Sequence, residues 1–344
     1  MKARLELSAI FDPLKLGLSK VIMIALMRSF KLVFFIMRLT IIGFGNQAKA
    51  WSQNLKDSAF PFRVALQPDS PSINKVLAFG MNVVEIGSPD FFEDRAFVLL
   101  TPDDTHQSFM NQYGHQFQAE SLILYNHGFS LTKNSFHLDF PKLKHVLFAV
   151  KAIGSEIRQQ YLSKGKFGAV YSFEFVNGET TILEKWMKAM SQALGVNLGL
   201  FKTTFEHETQ ADLYSEQGLL CSVIPYTAGE MFKHLVESGI EPELAYLEVW
   251  HEMKLIAIAM VDKGPEGFFD LISPNALVGS EKGFERLITP EFKSNLKSLL
   301  TDIQNNTFNE ELEKANVPEL RATIRKRWAN SPLMKTFKDM KAKE

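Results

Sequence analysis

LTIIGFGNQA, residues 39–48, decides the fold of the first half of the chain. Leu39 to Gly43 is a short apolar, β-branched run and reads as a buried strand. GFGNQA overlaps its end, so the turn is G-x-G-x-x-A on Gly43, Gly45 and Ala48, with Phe44, Asn46 and Gln47 between them. In such a turn the first glycine permits the tight bend and the second lets the backbone approach a pyrophosphate. A small third residue lets helix and strand pack closely. The helix expected from Asn46 to Leu55 aims its first N–H groups and the positive end of its dipole at that phosphate. The motif alone is weak, and its place between strand and helix makes it specific. A tight strand–helix turn holding no ligand is the competing reading.

Outward from this turn, strands and helices alternate. FRVAL (Phe62 to Leu66) is the second strand, followed by QPDSPS, Gln67 to Ser72. At this position an acid binds the ribose hydroxyls of NAD, whereas basic and hydroxyl side chains suit the NADP phosphate. Asp69 repels a phosphate and accepts a hydroxyl, or is only a turn residue. Ser70 and Ser72 are compatible with NADP. Both NADP(H) and NAD(H) therefore stay open. AFVLL (Ala96 to Leu100) leads into TPDDTHQ, LILYNHGF reaches His127, and VLFAVK ends at Lys151. Ligands of doubly wound sheets lie outside the carboxyl ends of the strands. Gly43, Pro102, His127 and Lys151 all fall there. A single histidine or lysine at a strand end is usually structural, but two at adjacent ends, facing a cofactor turn, are candidate catalytic groups.

From about Thr203 the pattern turns helical. TTFEHETQADLYSEQGLLC (residues 203–221) sets Asp212 and Glu216 four apart, and AYLEVWHEMKLI (residues 245–256) repeats the spacing with Glu248 and Glu252. Residues four apart share a helix face. The flanking Leu219, Leu220, Leu247, Leu255 and Ile256 predict that both helices are largely buried. Four buried, unpaired carboxylates would be costly, and a pair of Mg²⁺ ions, which take hard oxygen ligands, removes that cost. The spacing alone fits two solvated acidic faces equally well. Further helices are expected over GEMFKHLVESG (229–239) and SNLKSLLTDIQNNTF (294–308). PELAYLEVWHEMKLIAIAMV (242–261) reads as one long, largely buried helix with proline at its start.

The 344 residues, 46% hydrophobic, suffice for two cores. A net charge of −1 without a block of like charge argues against nucleic acid as a partner. The single cysteine, Cys221, excludes an intramolecular disulfide framework and points to a reducing, cytoplasmic setting. Its apolar neighbours place it in the core. In residues 1–36 the runs VIMIALM and LVFFIM are split by Arg28 and Lys31, and neither approaches the roughly 20 residues that span a bilayer. We read this segment as an N-terminal extension outside the fold, with Met37 as the functional start and no firm membrane association. A membrane-associating tail is the alternative. The expected organisation is 37–202, 203–330 and a tail over 331–344.

DLYSEQ (Asp212 to Gln217) and YLEVWHEMKLI (Tyr246 to Ile256) resemble D-L-F-G-E-Q and Y-F-E-x-x-H-E-L-K-L-I of the ketol-acid reductoisomerase family. GFGNQA is similar to the family's G-Y-G-S-Q-G, TPDDTHQ to its P-D-E-x-Q loop, and HGFSL to H-G-F-N-I. AVKAIGSEIR (Ala149 to Arg158) matches A-P-K-G-P-G-H-T-V-R at Lys151, Gly154 and Arg158. LISPNALVG matches S-I-S-N-T-A-E at Ser273, with Leu277 in place of the glutamate. The resemblance covers almost everything after Met37.

It implies an α/β Rossmann-type N-terminal domain followed by an all-α, knotted-type C-terminal domain. It implies a homodimer or higher homo-oligomer in which Glu248 and Glu252 complete the partner subunit's site. Two Mg²⁺ ions would be held by Asp212, Glu216, Glu248 and Glu252, with Asp212 bridging. His127, Lys151 and Glu252 would be catalytic, and Ser273 would contact the substrate carboxylate. The nicotinamide dinucleotide would lie on Gly43, Phe44, Gly45, Asn46, Gln47, Gln67, Asp69, Ser70, Ser72, Pro102 and Gly154. The implied reaction is alkyl migration in a 2-acetolactate-type acid, then reduction to a 2,3-dihydroxy acid of branched-chain amino acid synthesis. Departures at Ala152, Ile153, Ser155, Glu156 and Leu277, and AVYSFEF (169–175) where the family has Q-D, keep two alternatives open. One is a dehydrogenase of another hydroxy or keto acid; the other is a non-catalytic Mg- and dinucleotide-binding relative.

Overall fold

The computed structural model describes residues 37–343, so the extension read over residues 1–36 lies outside the described residues. The chain forms two compact units, one ending at Thr209 and the other beginning at Gln210.

The first unit is built on one eight-stranded sheet in the order β3-β2-β1-β4-β5-β6-β7-β8. Its strands are β1 (Leu39–Ile42), β2 (Phe62–Leu66), β3 (Val83–Glu85), β4 (Ala96–Leu99), β5 (Leu122–Tyr125), β6 (Lys144–Val150), β7 (Gly168–Phe175) and β8 (Gly199–Lys202). β1 to β6 are mutually parallel, β7 runs antiparallel to β6, and β8 is parallel to β7. Every residue of β1, β4 and β5 is buried, as expected of parallel strands covered on both faces. Leu39 pairs with both Phe62 and Ala96, and Ala96 pairs with Leu122. Their carboxyl ends therefore finish level and form one ledge. The strand order reverses between β1 and β4, which marks the crevice where a ligand enters such a sheet.

Helices α1 (Asn46–Asp57), α2 (Ile73–Ala78), α3 (His106–Tyr113), α4 (Phe129–Asn134), α5 (Phe136–Asp139), α6 (Gly154–Ser163) and α7 (Thr181–Leu194) belong to this unit. One core sets Trp51 of α1 against Phe148, with the rings 5.5 Å apart and edge-on, and includes Trp186 and Met190 of α7. The opposite core is aromatic, with Phe91, Phe97, Phe117, Tyr125, Phe136 and Phe205. Arg158 serves the first core: it donates to Asn54 Oδ1 at 2.9 Å and pairs with Asp57 at 2.7 Å, while Asn54 donates to Leu194 O at 2.9 Å. At the amino ends of the strands, buried Arg63 and Asp94 form an ion pair at 2.6 Å.

α8 (Phe205–Ser215) runs from the first unit into the second, where a π-helical turn, Glu216–Leu220, extends it. α9 (Val223–Glu237) and α10 (Pro242–Tyr246) follow. The single long helix expected over 242–261 is instead α10, a second π-helical turn at Leu247–His251, and α11 (Glu252–Leu271). α11 is itself broken at Gly264 (φ 70°), where Pro265 restarts it. α12 (Pro274–Leu287), α13 (Pro290–Gln304), α14 (Thr307–Lys314), α15 (Val317–Ala329) and α16 (Pro332–Lys341) complete the chain.

Residues 331–344, read as a tail, mostly form α16. Ser331 caps it by accepting from Met334 N, Pro332 opens it, and Leu333 enters a core with Phe232, Ala245 and Tyr246. The expectation of largely buried acidic helices does not hold within one chain: Leu219, Leu220, Leu247, Leu255 and Ile256 are all exposed. So is Cys221, which is therefore not a core residue. The reason is arithmetic: this unit has more apolar helix faces than its one small core can cover. No helix among the described residues is long and apolar enough to cross a membrane.

One buried pair couples the fold to pH. Tyr125 O–H lies 2.9 Å from His145 Nδ1, and His145 Nε2 lies 3.2 Å from Phe140 O. A carbonyl only accepts, so Nε2 carries the hydrogen and the neutral ring accepts from the tyrosine. Burial pulls the His145 pKa down to about 4. Between that value and the unfolded value of about 6.5 the unfolded chain binds the extra proton, so stability falls as pH drops through this window. Urea titrations at pH 7 and pH 4.5 should show that His145→Gln loses about 2–3 kcal/mol less than the unmodified protein on acidification.

Candidate active site at the carboxyl ends of the strands

Gly43 has φ 97°, and a Cβ there would stand 2.9 Å from Thr101 Cγ2 and 3.3 Å from Leu100 O. Conformation and space both demand glycine. Gly45 caps α1 in an extended conformation with no side-chain cap. No atom lies within 4 Å of where its Cβ would be. The backbone is thus uncrowded where the helix begins, and a helix N-terminus after such a turn fits a pyrophosphate. Gly154, expected to contact the cofactor, packs against the turn itself. A Cβ on it would fall 2.6 Å from Asn46 C and O and 2.7 Å from Gln47 N, so it lets α6 abut the back of the turn. Beyond β2, Ser70 N donates to Gln67 O at 3.0 Å and Ser72 N to Ser70 Oγ at 3.3 Å, leaving Gln67 and Asp69 exposed.

His127 and Lys151 follow β5 and β6, neighbouring parallel strands. The residue between them was not read from the sequence: it is Glu208. α8 is aimed at the ledge by its first turn, where His207 N donates to Thr204 Oγ1 at 3.0 Å and Phe205 N to Glu174 Oε2 at 3.2 Å. Glu208, 3% exposed, then reaches the strand ends. It accepts from Gly128 N at 2.6 Å and pairs with Lys151 Nζ at 2.5 Å. His127 Nε2 is 3.8 Å from the same carboxylate, and His127 Nδ1 is 3.9 Å from Asp103 Oδ2. A buried carboxylate is tolerated when it is paired and hydrogen-bonded in this way. An ammonium, an imidazole and a carboxylate beside a cofactor turn can hold and move a proton next to a reacting carbonyl. The available signal was the spacing of Glu208, Asp212 and Glu216, which recur every four residues.

In the second unit Asp212 ends its turn of α8, Glu216 opens the first π-helical turn, Glu248 lies in the second, and Glu252 opens α11. π-turns inside α-helices often mark functional sites. Among the described residues, no three of these four carboxylates bring ligand atoms within 4.8 Å of one another. No one-chain site was expected, since the resemblance assigns Glu248 and Glu252 to a partner subunit's site. The Cys221 thiol is pushed up by burial and by the nearby Glu216 and Asp212 carboxylates. Ser273 caps α12, its Oγ accepting from Ala276 N at 3.2 Å.

At its nearest contact Gly128 is tighter still than Gly43 and Gly154. A Cβ on it would lie 2.5 Å from Phe205 O, 2.6 Å from Thr209 Oγ1 and 3.0 Å from Glu208 Oε2. Gly128→Ala should therefore destabilise the protein by about 1–3 kcal/mol in urea denaturation. Gly45→Ala meets open space at a negative φ and should cost at most about 1 kcal/mol in the same measurement, the difference between glycine and alanine as a helix cap.

Comparison with known proteins agrees with this geometry. Residues 36–199 match the family model described as "Acetohydroxy acid isomeroreductase, NADPH-binding domain", and residues 205–343 match "Ketol-acid reductoisomerase, C-terminal domain". A solved NADH-preferring ketol-acid reductoisomerase from an uncultured archaeon is 26% identical, with a TM-score of 0.77 over 90% of this chain and 95% of that one. A semialdehyde dehydrogenase NAD-binding protein from Cupriavidus necator, solved with calcium and NAD, is 14% identical, with a TM-score of 0.60 over 78% of this chain and 99% of that one. A pyrroline-5-carboxylate reductase from Coxiella burnetii is also 14% identical, with a TM-score of 0.56 over 78% and 98%. The last two share only the fold. With both halves matched in order, the chain belongs to the ketol-acid reductoisomerase family and is an NAD(P)-dependent oxidoreductase and isomerase of branched-chain amino acid biosynthesis.

Proposed function

We propose that this protein converts 2-acetolactate-type acids to 2,3-dihydroxy acids, in the presence of Mg²⁺, by alkyl migration followed by reduction. The observation that carries the proposal is the buried Glu208–Lys151 pair, with His127, on the ledge that also holds the dinucleotide turn. The helix that supplies Glu208 continues into Asp212 and Glu216.

Asp212, Glu216, Glu248 and Glu252 would hold the metal, since they offer only hard oxygen donors. When bound, Mg²⁺ polarises substrate oxygens as a Lewis acid. Lys151 Nζ, fixed by Glu208, donates to a substrate oxygen as negative charge develops there. His127 orients water and the carbonyl on the same side. Glu252 moves the proton of the substrate hydroxyl. Ser273 Oγ accepts from Ala276 N, which leaves its O–H for the substrate carboxylate. A nicotinamide dinucleotide, its pyrophosphate held by the Gly43–Gly45 turn, would supply the hydride. The protein works in the cytoplasm as a homodimer, in which Glu248 and Glu252 serve the partner's site. The exposed Leu219, Leu220, Leu247, Leu255 and Ile256 support this assembly. We further propose that NADH is preferred. The exposed Asp69 suits a ribose hydroxyl, and no arginine stands at Gln67. The similar archaeal enzyme is NADH-preferring.

In a spectrophotometric assay with 2-acetolactate, NADH oxidation should require Mg²⁺ and stop on chelation. Turnover of other keto acids only, or of none, would overturn the reading. Asp212→Asn should abolish both the turnover and its metal dependence, and a near-normal rate would contradict the ligand assignment. Gln67→Arg should strengthen NADPH binding relative to NADH by about tenfold or more, the worth of one charge-assisted hydrogen bond. Fluorescence titration checks this, and an unchanged ratio would remove the loop from cofactor selection.

A further inference from the structure

His106, 2% exposed at the start of α3, belongs to no role assigned above. Its Nε2 is 3.1 Å from Thr101 O and its Nδ1 is 2.8 Å from Ser130 Oγ. Thr101 O can only accept, so Nε2 carries the hydrogen. A neutral ring then accepts at Nδ1 from the Ser130 hydroxyl. Burial lowers the His106 pKa against the pull of Asp103, the Thr101 carbonyl and Asp104, which favours this neutral form.

The two partners sit in different parts of the site. Thr101 belongs to the turn after β4, and its Cγ2 fills the space beside Gly43. Ser130, 1% exposed, lies in α4, two residues after Gly128, whose N–H is held by Glu208. One imidazole therefore ties the loop that packs on Gly43 of the dinucleotide turn to the segment bearing His127 and Gly128. The Asp103 carboxylate lies between the two histidines, 3.5 Å from His106 Nδ1 and 3.9 Å from His127 Nδ1. With His106 neutral, that carboxylate is not drawn into an ion pair with it and faces His127.

We propose that His106 is a positioning residue: it holds the dinucleotide turn in register with His127 and the Glu208–Lys151 pair, so that the hydride donor faces the carbon, and the proton-handling groups the oxygen, of the same substrate carbonyl. A neutral glutamine can replace it chemically, its amide donating to Thr101 O and accepting from Ser130. Leucine can do neither.

The test uses the full-length protein with His106→Leu and His106→Gln, and its kinetic arm rests on the reaction proposed above. His106→Leu should lower kcat on 2-acetolactate by about 10- to 100-fold. The dinucleotide Kd and the substrate KM should stay within about threefold. His106→Gln should recover most of kcat. Nitrogen-15 spectra of the histidine side chains give a readout independent of turnover: the His127 ring resonances should move in His106→Leu and return in His106→Gln. If His106→Leu does not fold, Ser130→Ala removes one of the two bonds and is read in the same way. Unchanged kcat and His127 resonances in the leucine variant would overturn the proposal, as would a folded glutamine variant that restores neither. If the unmodified protein turns over no keto acid, the reaction assignment falls and the His127 resonances alone decide the role of His106.

Discussion

A carboxylate buried at the edge of a parallel sheet constrains everything around it. Left unpaired, Glu208 would cost several kcal/mol. Its two oxygens instead take the Gly128 N–H and the Lys151 ammonium. Those two bonds explain the neighbouring choices of residue. Position 128 must be glycine because the first turn of α8 presses against it. Lysine must stand where β6 ends. The start of α8 must be phased by Thr204 and Glu174, or Glu208 would not face the ledge.

Much of this was legible in the sequence, for a physical reason. The β1–turn–α1 unit announces itself because a buried parallel strand is a continuous apolar run and the turn needs glycine at fixed positions. The strand ends at Pro102, His127 and Lys151 followed from the same periodicity. Glu208 was missed: its four-residue spacing to Asp212 and Glu216 puts it on their helix face, but spacing does not say that this face turns inward at residue 208. The phase of α8 is set by contacts with Thr204 and Glu174 that local pattern does not encode. Arg158 was legible only as a motif match, and it ties α1 to α6, while Gly154, expected at the cofactor, is a point of close backbone approach.

The second unit was misread in an instructive way. Leu219, Leu220, Leu247, Leu255 and Ile256 were expected to be buried on the strength of their hydrophobicity, and within one chain they are exposed. Apolar periodicity reports that a face wants covering and says nothing about whether the same chain covers it. The four acidic side chains were expected to meet only across two subunits. Their spacing is as expected, and their oxygens do not gather within the chain. The two π-helical turns that carry Glu216 and Glu248 shift the helical phase at those positions, which no period of 3.6 could foretell.

In the proposed enzyme each active site draws its carboxylates from two copies of this chain. The direct measurement is turnover of 2-acetolactate by a one-to-one mixture of Asp212→Asn and Glu248→Gln subunits, exchanged to equilibrium. Each variant alone should be inactive. Half of the mixed population pairs unlike subunits, and each such dimer regains one intact site of two, so the mixture should recover about a quarter of the unmodified activity. A mixture no more active than its components would place all four ligands in one subunit and contradict the account.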